Sequence, residues 1–214
     1  MGYYPLFVDL AGRACLVVGG GDIAEGKVQG LLAAGANVTV VSPTLVEPLA
    51  EAARTGRLEH RRRAYRDGDL AGFALAFAAT GEPTVNAAVA REGRRSGVWV
   101  NAVDDPAHCD FIVPAVLRRG SLAVAVSTGG ASPALARAVR EELEQHLGDD
   151  YAALVDVAGE VRRELRAGHR RVDAGAWHEA LNDPRFRRLV TEGRRGLASD
   201  RLRARLTAAC EDHR

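Results

Sequence analysis

The chain is poor in lysine, cysteine and aromatic residues, and it has no long apolar run. Only 5% of its 214 residues are aromatic, and the three cysteines lack a Cys-x-x-Cys spacing. This odd number of cysteines fits neither a disulfide framework nor a zinc knuckle. No apolar run approaches the ~20 residues of a membrane span, and the N-terminus lacks the basic start and apolar core of a secretory signal. The sequence therefore predicts a cytoplasmic protein, with Cys15 in its core.

The positive charge comes almost entirely from arginine, because Lys27 is the only lysine. A net charge of +1 gives no overall field that would attract nucleic acid. Arginine favours bidentate binding of carboxylates. The paired arginines near the C-terminus alternate with acidic residues, however, and are interpreted as solvated helix faces.

Short apolar runs alternate with helical stretches over the first half of the chain. The runs have the composition of buried parallel strands, and the helical stretches end at Gly35 and Gly97. Residues 58–62 are a candidate edge strand. This alternation predicts an α/β fold with a doubly wound, Rossmann-like parallel sheet. The predicted strands are Ala14–Val18, Asn37–Val41, Ala74–Ala79 and Val98–Val103, and the predicted helices are Ala24–Ala34 and Val85–Arg95.

The alternation stops after the last of these strands. Phe111–Leu117 and Ser121–Val126 are too close together for a helical crossover, so they are predicted to form an antiparallel hairpin. A helix then begins after its N-cap, Ser132, with Pro133 in the first turn, and ends at Gly148. From residue 151 onward the chain is predicted to be helical. The apolar face of the helix after Ser132 comprises Leu135, Val139 and Leu143.

The first predicted strand runs into a glycine-rich turn, Gly19–Ala24, and a helix follows. A G-x-G-x-x-A pattern between a strand and a helix is typical of dinucleotide-binding domains. Gly19 permits the tight turn, and Gly21 lets the backbone approach a pyrophosphate. The N–H groups near Asp22 and Ile23 supply donors at the positive end of the helix. An ordinary strand–helix turn is the alternative.

The ribose site is less clearly marked. The acidic residue that usually binds the ribose hydroxyls is missing after the second strand, where Ser42 or Thr44 could donate instead. No arginine follows to hold a 2′-phosphate, so NAD is mildly favoured over NADP. The third strand ends at Thr80, which could line the cofactor crevice. The candidate cofactor residues are Gly19, Gly20, Gly21, Asp22, Ile23, Ser42, Pro43, Thr44 and Thr80.

Two aspartates follow the last strand of the predicted sheet, at the edge where such sheets bind ligands. Asp104 or Asp105 could act as a general base beside a nicotinamide, or either could merely cap the turn before Pro106. The next segment, His108–Asp110, combines soft and hard ligand types. Adjacent residues seldom face one metal, so we assign no metal site there.

A second loop of small residues, Ser127–Pro133, opens the long helix. Its backbone donors and the helix N-terminus could form an anion site, to which Arg137 and Arg140 would add charge. A flexible turn with an N-cap is the alternative. The candidate substrate residues are Thr128, Gly129, Gly130, Ser132 and Arg137.

Taken together, these motifs resemble those of the precorrin-2 dehydrogenase/sirohydrochlorin ferrochelatase family, which includes the N-terminal part of bacterial siroheme synthase and stand-alone relatives. The likeness extends over residues 4–145 in the family's order and spacing, whereas the helical tail resembles the family only in length and character. The matching segments are Tyr4–Phe7, Val17–Ala24, Ala78–Thr80, Asn101–Asp105, Phe111–Ala115 and Ala125–Pro133.

The resemblance implies that the chain oxidises precorrin-2, a reduced polycarboxylate tetrapyrrole, to sirohydrochlorin with NAD as the hydride acceptor. It implies that Asp104 is the acid/base residue, that cofactor contacts fall on Asp22-Ile23 and Pro43-Thr44, and that Thr128 lies near the tetrapyrrole. It leaves open whether the product serves siroheme or cobalamin synthesis, and whether the chain also inserts Fe²⁺ or Co²⁺ as a chelatase.

The resemblance also implies an intertwined homodimer. The predicted domains are an NAD-binding Rossmann domain over residues 1–113, a dimerisation region over 114–148 and a helical domain over 149–214. Neither nucleic acid nor a membrane is a predicted partner. The alternatives are a non-catalytic dinucleotide sensor, which needs no base at Asp104, and a monofunctional sirohydrochlorin chelatase.

Overall fold

The computed structural model describes residues 2–211, and their side chains as far as residue 208. The side chain of Cys210 therefore lies outside the described part. The chain divides into two compact units, Met1–Val113 and Pro114–Arg214. Each unit is described by itself below.

The first unit contains a five-stranded sheet in the order β3-β2-β1-β4-β5, in which all neighbours are parallel. The chain builds outward from β1 to β3 and then crosses back to place β4 on the other side of β1. Sheets of this kind bind ligands where the strand order reverses in this way. The predicted Rossmann-like fold is confirmed. The strands are β1 Ala14–Val18, β2 Asn37–Val41, β3 Glu59–Arg61, β4 Leu75–Ala78 and β5 Trp99–Ala102.

Helices cover both faces of this sheet, because successive strand residues point to opposite sides. Cys15 and Val17 belong to the core on one face, and Leu16 and Val18 belong to the core on the other. Cys15 is fully buried as predicted, and burial raises the pKa of its thiol. The helices are α1 Asp22–Ala33, α2 Glu47–Arg54 and α3 Pro83–Ser96.

Helix α2 is absent from the sequence prediction. It has only eight residues, and a short segment gives a weak periodic signal. Its buried residues, Leu49 and Ala52, are three positions apart and pack into the same core as Val17. The segment is made largely of strong helix formers, and the burial of Leu49 and Ala52 adds to their propensity.

The second unit begins with the predicted antiparallel hairpin, formed by β6 Ala115–Arg119 and β7 Leu122–Val126. The predicted start of its first strand at Phe111 is wrong. Phe111 packs edge-on against Phe77 in the core of the first unit, with ring centroids 5.4 Å apart. Pro114 has no N–H to donate to a strand ladder, so the pairing begins only after it.

The remainder of the second unit is helical, as predicted. The Ser132 hydroxyl accepts a hydrogen bond from the Leu135 N–H at 3.2 Å and caps the first of these helices, which ends before Gly148 at His146. The last four helices share one apolar core around Val161, Phe186 and Leu202. The helices are α4 Pro133–His146, α5 Asp150–Ala167, α6 Ala174–Leu181, α7 Pro184–Thr191 and α8 Arg195–Glu211.

Within residues 2–211, no helix combines the length and the apolar character needed to cross a membrane. The cytoplasmic location stays a prediction.

Candidate functional site

The glycine turn between β1 and α1 is held by close backbone contacts. Gly19 has a φ of +125°, and a Cβ added to it would lie 2.2 Å from the Ala79 carbonyl oxygen. A Cβ on Gly20 would lie 2.0 Å from the Thr44 carbonyl oxygen. A Cβ on Gly21 would have no atom within 4 Å. Gly19 and Gly20 therefore pack against the neighbouring loops. Gly21 instead borders open space, which would let a cofactor come close to the protein backbone.

Helix α1 begins at this turn without a side-chain cap. Its N-cap is Gly21, and no side chain accepts a hydrogen bond from the first turn. Ala24, the third small residue of the motif, is fully buried. Uncapped N–H donors together with the helix dipole make such a terminus a site for an anion.

A cavity of about 830 Å³ lies at the carboxyl ends of the strands in the first unit. It brings together the candidate residues from the glycine turn, from the ends of β2 and β4, and from the loop after β5. Thr44 is the one candidate cofactor residue that does not line it. The lining residues include Gly19, Gly20, Gly21, Asp22, Ile23, Ser42, Pro43, Tyr65, Thr80, Asn86, Asp104 and Asp105.

Ser42 lines one wall of this cavity and is held there by Thr44, which does not line it. The buried Ser42 hydroxyl donates a hydrogen bond to the Thr44 carbonyl oxygen at 2.7 Å. The Ser42 carbonyl oxygen lies 3.0 Å from His60 Nε2. The Ser42 hydroxyl, which was a candidate donor to a ribose, thus donates within its own loop. Gly20 packs against the same loop.

Asn86 fixes the loop after β4, and the sequence analysis missed it. The Thr80 hydroxyl donates to Asn86 Oδ1 at 2.8 Å, and Asn86 Nδ2 donates to the Thr80 carbonyl oxygen at 3.1 Å. Asn86 is 6% exposed. An Asn in the first turn of a helix after Pro83 gives no distinctive sequence signal.

The two adjacent aspartates after β5 differ in their surroundings. Asp105 lies with its carboxylate 2.6 Å from His108 Nδ1 at the start of a short 3₁₀ helix, Pro106–His108. Asp104 has a φ of +59°, and its exposed carboxylate makes no hydrogen bond or ion pair with any described residue. A left-handed conformation at a residue other than glycine costs about 1–2 kcal/mol. Strain of this kind clusters at functional sites.

The segment after Asp105 folds back along β5 through its own side chains. Asp110 Oδ2 accepts the Val100 N–H at 2.8 Å, and the Cys109 thiol donates to the Ala102 carbonyl oxygen at 3.1 Å. Burial raises the pKa of Cys109. Asn101 Nδ2 donates to the Phe111 carbonyl oxygen at 2.9 Å. The described residues contain no group of three or more His, Cys, Asp or Glu side chains placed to hold a metal ion.

Tyr65 is a further cavity residue that sequence reasoning missed. Its hydroxyl donates to Glu92, which is 4% exposed and also accepts the Leu70 N–H at 2.9 Å. Burial and the Glu92 carboxylate raise the pKa of Tyr65. The loop that carries Tyr65 is tied by a bidentate pair in which Arg63 donates to Asp69 at 2.7 and 2.5 Å. These partners are up to 27 residues apart in the sequence, so no local sequence motif predicts their contacts.

The second small-residue loop lies in the second unit. The Thr128 hydroxyl accepts the Ser132 N–H at 2.9 Å and donates to the Ser132 carbonyl oxygen at 3.0 Å. Gly129 and Gly130 have φ values of +66° and +90°, with open space beside them. Arg137 is exposed and makes no ion pair with another described residue, whereas Arg140 is paired with Glu144. The loop is a closed turn with a capped helix behind it.

Two family models match separate parts of the chain, and the boundary between them falls close to the boundary between the two units. Residues 6–115 match a family model described as "Putative NAD(P)-binding", and residues 119–146 match one described as "Sirohaem biosynthesis protein central". The chain is 40% identical to the siroheme synthase of Methylococcus capsulatus over 211 residues, which are 98% of this chain and 44% of that protein. It is 41% identical to the siroheme synthase of Azotobacter vinelandii, covering 98% of this chain and 45% of the relative.

The chain thus spans less than half the length of these relatives. A solved structure described as "SirC, precorrin-2 dehydrogenase" has the same extent as the chain. It matches with a TM-score of 0.74 and 31% sequence identity, covering 92% of this chain and 99% of the other. The first unit is an NAD-binding Rossmann domain, and the chain as a whole belongs to the precorrin-2 dehydrogenase family that its motifs resemble.

Proposed function

We propose that this chain oxidises precorrin-2 to sirohydrochlorin, with NAD as the hydride acceptor, in the synthesis of siroheme or cobalamin. One observation carries the proposal. The unpartnered carboxylate of Asp104 borders the same cavity as the uncapped N-terminus of α1. A dehydrogenase of this kind needs both a phosphate cradle and a proton acceptor, and a sensor needs only the first.

The residues of the cavity fit NAD. The N–H groups of the first turn of α1, near Asp22 and Ile23, would hold the pyrophosphate, and Gly21 leaves it room. Because the Ser42 hydroxyl is committed to Thr44, the segment Ser42–Thr44 would border the ribose mainly through its backbone. Thr80, locked by Asn86, would line the crevice. When bound, NAD supplies the redox chemistry by accepting a hydride.

Asp104 would collect the proton that leaves the substrate carbon along with that hydride. General bases of this kind typically contribute about 10²–10⁴-fold to a rate. Asp105 is less suited to the task, since its carboxylate is already bound to His108.

The substrate is a polycarboxylate, and we assign its binding in the second unit to the loop Thr128–Ser132 and to Arg137. Gly129 and Gly130 leave open space beside the loop, and Arg137 has no competing acid among the described residues. The Gly129 and Ala131 N–H groups already donate to Ser127 Oγ and to the Thr128 carbonyl oxygen, at 3.1 and 3.2 Å. Since the Thr128 hydroxyl is bonded to the Ser132 backbone, its part is to shape the loop.

We further propose that residues 114–148 form a homodimer interface. On the apolar face of α4, Leu135 is 54% exposed and only Ala136 along the helix is buried within one chain. Val116, on β6, is 38% exposed. Exposed apolar residues grouped on one hairpin and helix are typical of a surface that a partner covers.

Metal insertion into sirohydrochlorin is a second reaction that Asp104 could serve. Pyrrole N–H groups lose their protons when Fe²⁺ or Co²⁺ enters the macrocycle, and a free carboxylate can accept them. The metal is then a substrate and requires no resident site.

The test is to incubate the protein with precorrin-2 and NAD⁺ and to follow NADH absorbance. We expect NADH to form together with the sirohydrochlorin spectrum. A folded protein that binds NAD but yields no NADH would be a sensor or a chelatase. Adding Co²⁺ to sirohydrochlorin and recording the spectrum of the metal complex then separates these two.

A further inference from the structure

The helical part of the second unit contains a cavity of about 1360 Å³ between α5, α6 and the segment that joins them. We call it the basic cleft. Its lining includes four arginines and two histidines but no aspartate or glutamate. Drug-sized ligands occupy pockets of about 300–1,000 Å³, so the basic cleft has room for a larger molecule.

Two of the cleft arginines, Arg162 and Arg166, differ from the charged residues on the opposite face of α5, which are paired. Three acids four residues apart, Asp156, Glu160 and Glu164, lie on the face of α5 that meets α8. There Arg195 reaches Glu160 at 3.3 Å and Arg203 reaches Glu164 at 2.8 Å. Residues four apart share one helix face, so the acids and the cleft arginines are kept on different faces.

Arg162 and Arg166 occupy the cleft side of α5, also four residues apart. Both are exposed, and neither makes a hydrogen bond or an ion pair with any described residue. Arg170, at the cleft edge, donates to the Thr207 hydroxyl at 3.3 Å. Two guanidinium groups are therefore available to a ligand, and each can hold a carboxylate with two parallel hydrogen bonds.

The floor of the basic cleft is apolar. Leu165 is buried, and Trp177 and Val172 are half-buried. An inorganic anion would gain nothing from such a floor. A flat ring system gains from contact with Trp177, because aromatic faces stack in offset geometry. A planar apolar molecule with several carboxylates at its edge would contact the apolar floor with its face and the arginines with its carboxylates.

We propose that the basic cleft binds a polycarboxylate tetrapyrrole at a site that shares no residue with the cavity of the first unit. The choice of a tetrapyrrole rests on the proposed function, since sirohydrochlorin, the conjugated product of that reaction, has this chemistry. The demand for an apolar polyanion rests on the cleft alone.

The experiment uses the full chain and uroporphyrin, a stable polycarboxylate porphyrin, as the probe. Its binding is titrated for wild type, for R162E/R166E and for the matched control R163E. Arg163 is equally exposed on α5 but does not line the cleft. We expect R162E/R166E to weaken uroporphyrin binding by more than tenfold and to lower the number bound per chain by one. R163E should stay within twofold of wild type.

Added salt should weaken binding to wild type more steeply than to R162Q/R166Q, which removes the two charges without reversing them. Equal affinities for R162E/R166E and R163E would overturn the inference. The inference is also overturned if a duplex DNA oligonucleotide binds wild type more tightly than uroporphyrin does and displaces it, because the cleft would then bind nucleic acid.

The outcome is distinguishable from failure of the proposed function. If wild type forms no NADH from precorrin-2 but uroporphyrin binding still depends on Arg162 and Arg166, the cleft stands and the dehydrogenase assignment fails. If NADH forms and the arginines have no effect on uroporphyrin, only the cleft assignment fails.

Discussion

The Gly19 Cα and the Ala79 carbonyl oxygen approach so closely that a Cβ on Gly19 would lie 2.2 Å from that oxygen. This contact joins the loops after β1 and β4, the two strands between which the order of the sheet reverses. It fixes the distance between the glycine turn and the Thr80 loop, which together border the NAD cavity.

G19A should therefore disrupt both stability and cofactor binding. Overpacking costs about 1–3 kcal/mol, and the positive φ of Gly19 adds strain for any residue with a Cβ. We expect urea unfolding to show a loss of about 2–4 kcal/mol and NAD binding to weaken more than tenfold. G30A is the control, because Gly30 lies inside α1 with open space beside it and Ala favours a helix by about 0.5–1 kcal/mol. Similar effects of G19A and G30A would contradict the close contact.

D104N should lower NADH formation by about 100-fold or more, since a base at this position is worth about 10²–10⁴-fold. NAD affinity should change little, because the amide keeps the shape and Asp104 has no described partner to lose. The matched control is D105N, which changes the neighbour bound to His108. Steady-state kinetics and NAD titration test both variants. A loss of NAD binding in D104N would make Asp104 a cofactor ligand instead.

N86A should loosen the Thr80 loop. The substitution removes three side-chain hydrogen bonds with Thr80 and leaves polar groups of that loop without their partner, which costs about 1–3 kcal/mol. We expect weaker NAD binding with a smaller change in the rate at saturating NAD. The control is N37A, whose amide donates to the Gly12 carbonyl oxygen away from the cavity. If N86A and N37A change NAD affinity equally, Asn86 has no specific role in the site.

The second unit should lose stability in acid through Asp183. Hydrogen bonds from the Phe186 N–H and the Arg201 guanidinium, at 3.0 and 2.6 Å, hold the pKa of this carboxyl below its usual value. A folded-state pKa below the unfolded value of about 3.9 gives stability that is present above that pH and is lost as the pH falls through the folded value.

D183N should accordingly be less stable than wild type at pH 7, and its stability should fall less between pH 7 and pH 3. Urea unfolding followed by helical circular dichroism at several pH values measures both quantities. E179Q, which neutralises an exposed acid on α6, should keep the wild-type pH dependence. Parallel pH curves for D183N and wild type would show that Asp183 does not contribute in this way.

The sequence predicted the sheet well because its strands are apolar runs bounded by turns. Asn37–Val41 and Ala14–Val18 have the predicted bounds, and even the edge strand Glu59–Arg61 falls inside the predicted segment. The apolar neighbours of Phe111 indicate a strand, yet its ring packs in the core beside Phe77. Periodicity cannot distinguish an apolar residue in a strand from one that anchors a loop.

The candidate site was predictable only where it depends on local chain geometry. The glycine turn and the aspartates after β5 carry short patterns with a mechanical reason, and they line one cavity. Asn86 and Tyr65 act through side-chain contacts with partners that the fold brings together. The residue pattern by itself leaves Asp104 and Asp105 equivalent, and only the family resemblance favours Asp104, because the physical difference lies in the backbone angle and in the reach of His108.

Because α1 has no side-chain cap, the phosphates of a bound cofactor would take the place of that cap. A serine or aspartate in place of Gly21 would stabilise the helix start by roughly a few tenths of a kcal/mol, so the protein without NAD forgoes that stabilisation. An anion at the same donors restores it, and the free energy of NAD binding therefore includes the completion of a secondary-structure element.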